Sequence, residues 1–279
     1  MDTANSSTTV ATLASRIGSR HAPIVIDARR DEDFDADAVM IAGALRRAPH
    51  LVAAWSQQLP ADAHFVVYCE RGLETSQAVT HALVSQGFEA AVLEDGMQAW
   101  KAAGATTMKK LRTPDIPSPT ATRWVTRERP KIDRIACPWL IRRFIDPLAE
   151  FLYVPKDRVL DYAKRENATP YDIPGVRFSH RGEHCSFDAM IEDFEITDAA
   201  LLALAAIVRG ADTGQPLLTP QSAGLLAVSL GLSALFPDDH TMLEHGMTVY
   251  DALYTWLRSI RGETADDALI ASPLIGNRS

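Results

Sequence analysis

Two places in this chain combine residue types that can do chemistry. The first is Cys69, at the end of the apolar run Phe65-Val66-Val67-Tyr68 and the start of the loop Glu70-Arg71-Gly72-Leu73-Glu74-Thr75. Such a loop, set just ahead of a helix, wraps backbone N–H groups around the sulfur. The helix turns its positive end toward the same point, and both effects favour thiolate over thiol. Cys69, Arg71 and Gly72 are the candidate catalytic residues. The competing reading is a buried strand-end cysteine that packs as a small hydrophobe. The second place is His180-Arg181-Gly182-Glu183-His184-Cys185-Ser186-Phe187-Asp188. Imidazole, carboxylate and thiolate donors together suit a divalent ion such as zinc, or iron or manganese where oxygen donors dominate. His180, His184, Cys185 and Asp188 are candidate ligands, with Asp212 and His240 further along. A helix starting near Cys185 would put Asp188 and Glu192 on one face.

A third signal is electrostatic. Between Arg123 and Arg143 lie seven basic residues against two acidic ones, inside a chain of net charge -8. Arginine forks bind oxyanions well, so Arg134, Arg142 and Arg143 are candidate anion-binding residues. The alternative is a solvated face on which Arg142 and Arg143 pair with carboxylates. The overall acidity argues against charge-driven nucleic-acid binding, and only Trp124 and Trp139 interleave the basic stretch.

The elements that must hold these residues divide at a proline-rich seam. Pro114, Pro117 and Pro119 fall within six residues, a spacing that supports neither a helix nor a central strand. Residues 1–108 are expected to form one domain, 109–122 a linker, 123–265 a second domain and 266–279 a tail. In the first, Ile24-Val25-Ile26, Phe65 to Tyr68 and Ala91-Val92-Leu93 read as strands. Ser76 to Gln86 and Met97 to Ala103 read as helices. The alternation predicts a parallel sheet flanked by helices. The second domain reads as mostly helical α+β. Its predicted helices are Pro138 to Ile145, one capped by Thr197 and running to Gly210, one opened by Thr219-Pro220, and one from His240 to Ile260. Phe151 to Val154 and Val176 to His180 are its strand candidates.

Length and composition agree. With 279 residues, 47% of them hydrophobic, each half can bury its own core. Three cysteines, at 69, 137 and 185, are too few and too scattered for a disulfide framework. The N-terminus lacks the pattern of a signal peptide, and the apolar stretch Ala223 to Phe236 is too short to span a bilayer. A soluble cytoplasmic protein with no membrane partner is expected.

Residues 24–104 resemble a single rhodanese domain. The likeness rests on Ile24-Val25-Ile26-Asp27-Ala28-Arg29, Ile41-Ala42-Gly43-Ala44, Tyr68-Cys69-Glu70-Arg71-Gly72, Gly87-Phe88 and Glu94-Asp95-Gly96-Met97-Gln98-Ala99-Trp100. It implies a sulfur-accepting Cys69. Rhodaneses usually carry an arginine five positions after the cysteine, which helps hold an anionic donor; this chain has Glu74 there and Glu70 beside the sulfur. The expectation is a cysteine that takes a persulfide from a small sulfur donor but uses thiosulfate poorly. Residues 123–260 resemble the C-terminal domain of the chromate-resistance regulator family. The segments are Lys131 through Asp146, Phe178-Ser179-His180-Arg181-Gly182 with Cys185-Ser186-Phe187-Asp188, Ile207 through Asp212, and Tyr250-Asp251-Ala252-Leu253-Tyr254. This resemblance implies a role in chromate resistance or sensing that uses basic and histidine residues. In those regulators a separate N-terminal domain is expected to contact DNA; here a rhodanese-like domain stands in its place, so DNA is not an expected partner. The leading expectation is a chromate- or oxyanion-stress protein binding a divalent metal ion, an oxyanion or both. The alternatives are a sulfurtransferase with a non-thiosulfate donor and a transcriptional sensor of chromate.

Overall fold

The computed structural model describes residues 6–110 and 121–262. The centre of the expected linker and the whole expected tail, 266–279, lie outside the described residues. The N-terminal half runs β1 (Ser7–Thr8), α1 (Val10–Arg16), β2 (Ile24–Asp27), α2 (Asp31–Ala36), β3 (Val39–Ile41), β4 (Leu45–Arg46), α3 (Val52–Trp55), β5 (His64–Tyr68), α4 (Glu74–Ser85), β6 (Glu89–Leu93), α5 (Gly96–Ala102) and β7 (Thr107–Lys109). Five of these strands form one parallel sheet in the order β1-β6-β5-β2-β4. The strands β2 and β5 are buried almost throughout, the expected signature of a sheet covered on both faces. Their C-terminal ends place Asp27, the last residue of β2, and Cys69, the first residue after β5, side by side at one edge of the sheet. A separate antiparallel pair joins β3 to β7.

The C-terminal half runs β8 (Arg123–Arg127), α6 (Asp133–Leu140), β9 (Glu150–Val154), α7 (Val159–Arg165), β10 (Thr169–Pro170), α8 (Ser186–Asp193), α9 (Ala199–Asp212), α10 (Ser222–Leu235) and α11 (Asp239–Gly262). A small parallel sheet, β10-β8-β9, lies beside the helices. Asp198 caps α9 by accepting from Leu201 N at 2.7 Å, one residue beyond the predicted Thr197. Val176 to His180 forms no strand, only an isolated bridge at Phe178.

The predicted helix start at Pro138 is wrong. α6 begins five residues earlier, at Asp133, and Pro138 lies inside it. A proline there cannot donate to the carbonyl four residues back, that of Arg134. The Tyr153 hydroxyl donates to this carbonyl instead, at 3.4 Å. The helix then widens into a π-turn over Ile141–Ile145. This earlier start brings Asp133 into the interior, with consequences for the site.

The two halves share a core. Leu13, Ile17, Met40 and Ile41 from the first pack in one cluster with Trp139, Phe144 and Tyr254 from the second. Gly18 sits at φ +78°, and a Cβ there would strike Phe144 and Tyr254. Backbone bonds from Lys109 N to Phe194 O (2.7 Å) and a side-chain bond from Arg258 Nη1 to Ile17 O (3.1 Å) fix the same junction.

Candidate functional site

The first half carries the Cys69 loop. Amides of the first turn of α5 hold it, with Met97 N donating to Cys69 O (3.0 Å) and Gln98 N to Glu70 O (3.1 Å). Gly72 (φ +68°) and Gly96 (φ +56°) face each other where the loop meets that turn. A Cβ on Gly72 would lie 2.6 Å from Leu93 O, and one on Gly96 would lie 2.6 Å from Gly72 N. Only glycine allows so close an approach. Cys69 is 7% exposed, and its Sγ lies 3.2 Å from Ser76 Oγ. It borders an open cleft of about 620 Å³. Arg30, Arg71 and Lys101 bring positive charge to that cleft, and Asp33, Asp37, Glu70 and Glu74 bring negative charge. Lys101 is engaged by Asp37 at 2.7 Å. The surroundings of the sulfur are therefore slightly acidic, which disfavours a small dianion.

The second half gathers four ionisable side chains from separate elements: Asp133 on α6, Asp172 after β10, His180 in the loop before α8, and Asp212 at the end of α9. His180 Nε2 lies 3.1 Å from Asp212 Oδ2, 3.5 Å from Asp172 Oδ1 and 3.6 Å from Asp133 Oδ2. One donor atom from each of Asp133, His180 and Asp212 lies within 4.8 Å of the others. Asp133 is 1% exposed and Asp172 6%, whereas the His180 side chain is 41% exposed and opens the group to solvent. Amides at the start of α8 hold Asp133, with Ser186 N donating at 2.7 Å and Phe187 N at 3.0 Å. Asp172 accepts from Arg127 Nη2 at 2.7 Å and lies 3.2 Å from Arg134 Nε.

The charges in this group strain one another. Burial, then the charges of Asp212 and Asp172, push the Asp133 carboxyl up to about 7. Burial and the Asp172 charge raise Asp212 as well. Burial would also raise Asp172, but hydrogen bonds from His180 and Arg127, with the charges of Arg127 and Arg134, outweigh it and hold that carboxyl low. His180 is pushed up to about 9, first by its hydrogen bond to Asp172 and then, against partial desolvation, by the charges of Asp133 and Asp212. Three carboxylates around one imidazole make a site that favours a cation at its centre.

The spacing of the carboxylates around His180 suits a metal ion. Bonds of about 2.0–2.2 Å from one ion to oxygen and nitrogen donors set those donors roughly 3.0–3.6 Å apart. The observed separations from His180 Nε2, 3.1 to 3.6 Å, lie in that interval. One imidazole with several carboxylates matches the preferences of zinc, manganese or iron(II).

Of the candidate ligands, His180 and Asp212 meet here. The other four make different contacts. His184 Nδ1 pairs with Glu192 at 2.7 Å. Cys185 is fully buried as the N-cap of α8, its Sγ donates to Asp188 Oδ2 at 3.3 Å, and burial drives its thiol pKa up. Asp188 completes that capping box, with Arg209 at 3.6 Å. His240 stands edge-on to Tyr153, with ring centroids 5.6 Å apart. Asp133 and Asp172 were not among the residues singled out from sequence. Asp133 stands inside the basic stretch and the segment 131–146, with no ligand type beside it in sequence to mark it. Asp172 follows Tyr171 in an irregular turn, and no periodicity marks it.

The three candidate arginines separate likewise. Arg134 reaches the cluster through Asp172. Arg143 forks onto Asp251, with both contacts at 2.8 Å, and Arg142 lies 3.4 Å from Glu244. Arg123 pairs with Glu150, and Arg129 caps the end of α10 through carbonyls including those of Phe236 and Pro237.

Residues 124–257 match the family model described as ChrB, C-terminal domain, and residues 9–103 match that of the rhodanese-like domain. Protein ChrB of Cupriavidus metallidurans is 36% identical over 141 residues, covering 50% of this chain and 41% of its own length. The chain therefore aligns with less than half of that relative. Among solved structures, a rhodanese-related protein from Thermoplasma volcanium is 24% identical, covering 37% of this chain and 96% of its own, with a TM-score of 0.33. A rhodanese-like domain protein from Staphylococcus aureus is 22% identical, covering 34% and 90%, with a TM-score of 0.31. Among the described residues no helix is long and apolar enough to cross a membrane.

Proposed function

Because this chain joins an N-terminal rhodanese-like domain to a C-terminal ChrB domain, we propose that it is a chromate-resistance protein whose C-terminal half binds a divalent metal ion. The observation that carries this reading is the convergence of Asp133, His180 and Asp212, with Asp172 beside His180 at 3.5 Å. A bound ion would supply positive charge at that point, able to polarise or anchor an oxyanion. The chain's own residues prepare the place. The α8 amides orient Asp133, and Arg127 and Arg134 keep Asp172 ionised. The exposed edge of His180 gives access from solvent. To bind, His180 must release the proton on Nε2 and Asp133 must be ionised, so binding expels protons. Isothermal titration of the chelator-treated full chain with zinc or manganese tests this. One site, lost in His180→Ala and in Asp212→Asn, supports the proposal; equal binding by both folded variants rejects it.

The Cys69 cleft supports a companion activity. The Cys69 thiolate attacks the outer sulfur of a donor persulfide, the donor's S–S bond breaks, and the donor thiolate leaves. Cys69 then holds the transferred sulfur as a persulfide. The acidic surroundings favour a donor without two negative charges over thiosulfate. Mass spectrometry after incubation with a low-molecular-weight persulfide should show the added mass of one sulfur atom, absent in Cys69→Ser. Equal labelling of the variant would reject the assignment.

A further inference from the structure

Away from the Cys69 cleft, the first half holds another cavity, about 370 Å³, lined by Asp31, Arg46, Arg47, Leu51, Ala54 and Trp55 among others. That volume falls within the range of small-molecule sites. The two arginines are not equivalent. Arg46 is paired with the cavity's own carboxylate: Nη2 donates to Asp31 Oδ1 (2.7 Å), and Nη1 donates to Asp27 O (3.1 Å) and Arg47 O (2.8 Å).

Arg47 differs. It is 7% exposed, Nη1 donates to Arg46 O at 2.9 Å, and its buried Nε has no acceptor. Among the described residues no carboxylate is within ion-pair distance of it. Asp146 acts on it only through its field, since its oxygens accept from Thr122 N, Thr122 Oγ1 and Leu148 N. A buried guanidinium without a carboxylate is rare, because desolvation is then not offset. The adjoining wall is apolar. Trp55 Nε1 donates to Ala48 O at 2.9 Å, so its ring has no donor left for a ligand, and Leu51 is half exposed beside it.

We propose that this cavity binds a small organic monoanion, an aryl or short-chain carboxylate, with its carboxylate on Arg47 and its apolar body on Trp55 and Leu51. A guanidinium with no carboxylate in ion-pair contact matches one negative charge, and its planar fork matches a carboxylate. An inorganic dianion would leave the Trp55 wall uncovered and bring a second charge with no partner. The proposal is independent of the metal site and of Cys69.

The test uses the full-length chain and phenylacetate, with 2-phenylethanol as a neutral counterpart of similar shape and inorganic phosphate as an anion without an apolar body. Saturation-transfer NMR should detect phenylacetate with a Kd on the order of 1 mM. Phosphate should not displace it, and 2-phenylethanol should bind at least about tenfold more weakly. Arg47→Met, which keeps the apolar stem, should lose phenylacetate by a similar factor while retaining the wild-type circular dichroism spectrum. The proposal is overturned if phenylacetate does not bind, if 2-phenylethanol binds equally, if phosphate competes, or if folded Arg47→Met keeps its affinity. Should Arg47→Met fail to fold, the two wild-type comparisons decide alone.

Discussion

Replacing Asp133 by asparagine should change how the metal-free protein's stability depends on pH. An ordinary aspartate loses its proton near 3.8 in the unfolded chain, whereas burial and the charges of Asp212 and Asp172 push the folded-state value up to about 7. Between those values the folded state binds more protons than the unfolded one, so stability falls as pH rises. The stabilising contribution is complete below about 4 and lost as pH passes through 7. A difference of roughly three pKa units corresponds to about 4 kcal/mol across that window. Asparagine cannot ionise, and its one side-chain oxygen can still accept from Ser186 N or Phe187 N. Urea unfolding of both proteins, with chelator present, at pH 5 and pH 8 gives the comparison. The cost of Asp133→Asn at pH 5 should exceed its cost at pH 8 by most of that 4 kcal/mol. Carboxylates held low, such as Asp172 and Asp193, act in the opposite direction and only at more acid pH, so they do not mask the difference. Equal costs at the two pH values would refute the claim that Asp133 is strained by burial and its acidic neighbours.

Further tests follow from other contacts. Gly96→Ala should place a Cβ against the Cys69 loop, lowering stability by about 3 kcal/mol in urea melts and blocking sulfur loading. Gly18→Val should break the shared core at Phe144 and Tyr254, turning one calorimetric transition into two. In the metal-free protein, His180, pushed up to about 9, should add a stabilising contribution that is complete below about 6.5 and lost as pH rises through 9. That contribution should be small, because the ring is partly exposed, and absent in His180→Ala; urea melts between pH 6 and 10 would show it.

Much of the first half was legible because its chemistry is local. Apolar runs end where strands end, at Asp27 and Tyr68, and the glycines at 72 and 96 mark the close approach that shapes the cysteine loop. In the second half, helices with strong periodicity were legible, among them Asp239–Gly262. Pro138 misled. Its fixed φ suits a first turn, but here the Tyr153 hydroxyl replaces the missing donor and the helix starts earlier. The site was half legible for a related reason. His180 drew notice among neighbouring ligand types, yet its acidic partners come from residues 133, 172 and 212, which only tertiary packing brings together. Close to it in sequence, Cys185 and Asp188 cap α8 and His184 pairs with Glu192 further along that helix.

The most direct test of the central claim is elemental analysis of the full chain, purified without a metal-affinity column, reloaded with zinc or manganese and then desalted. The account predicts about one equivalent of metal per chain in the wild type. It also predicts near-complete loss in Asp212→Asn and His180→Ala, and retention in His184→Ala and His240→Ala. A wild-type protein that retains no metal, or His184→Ala and His240→Ala variants that lose it while His180→Ala keeps it, would contradict the account.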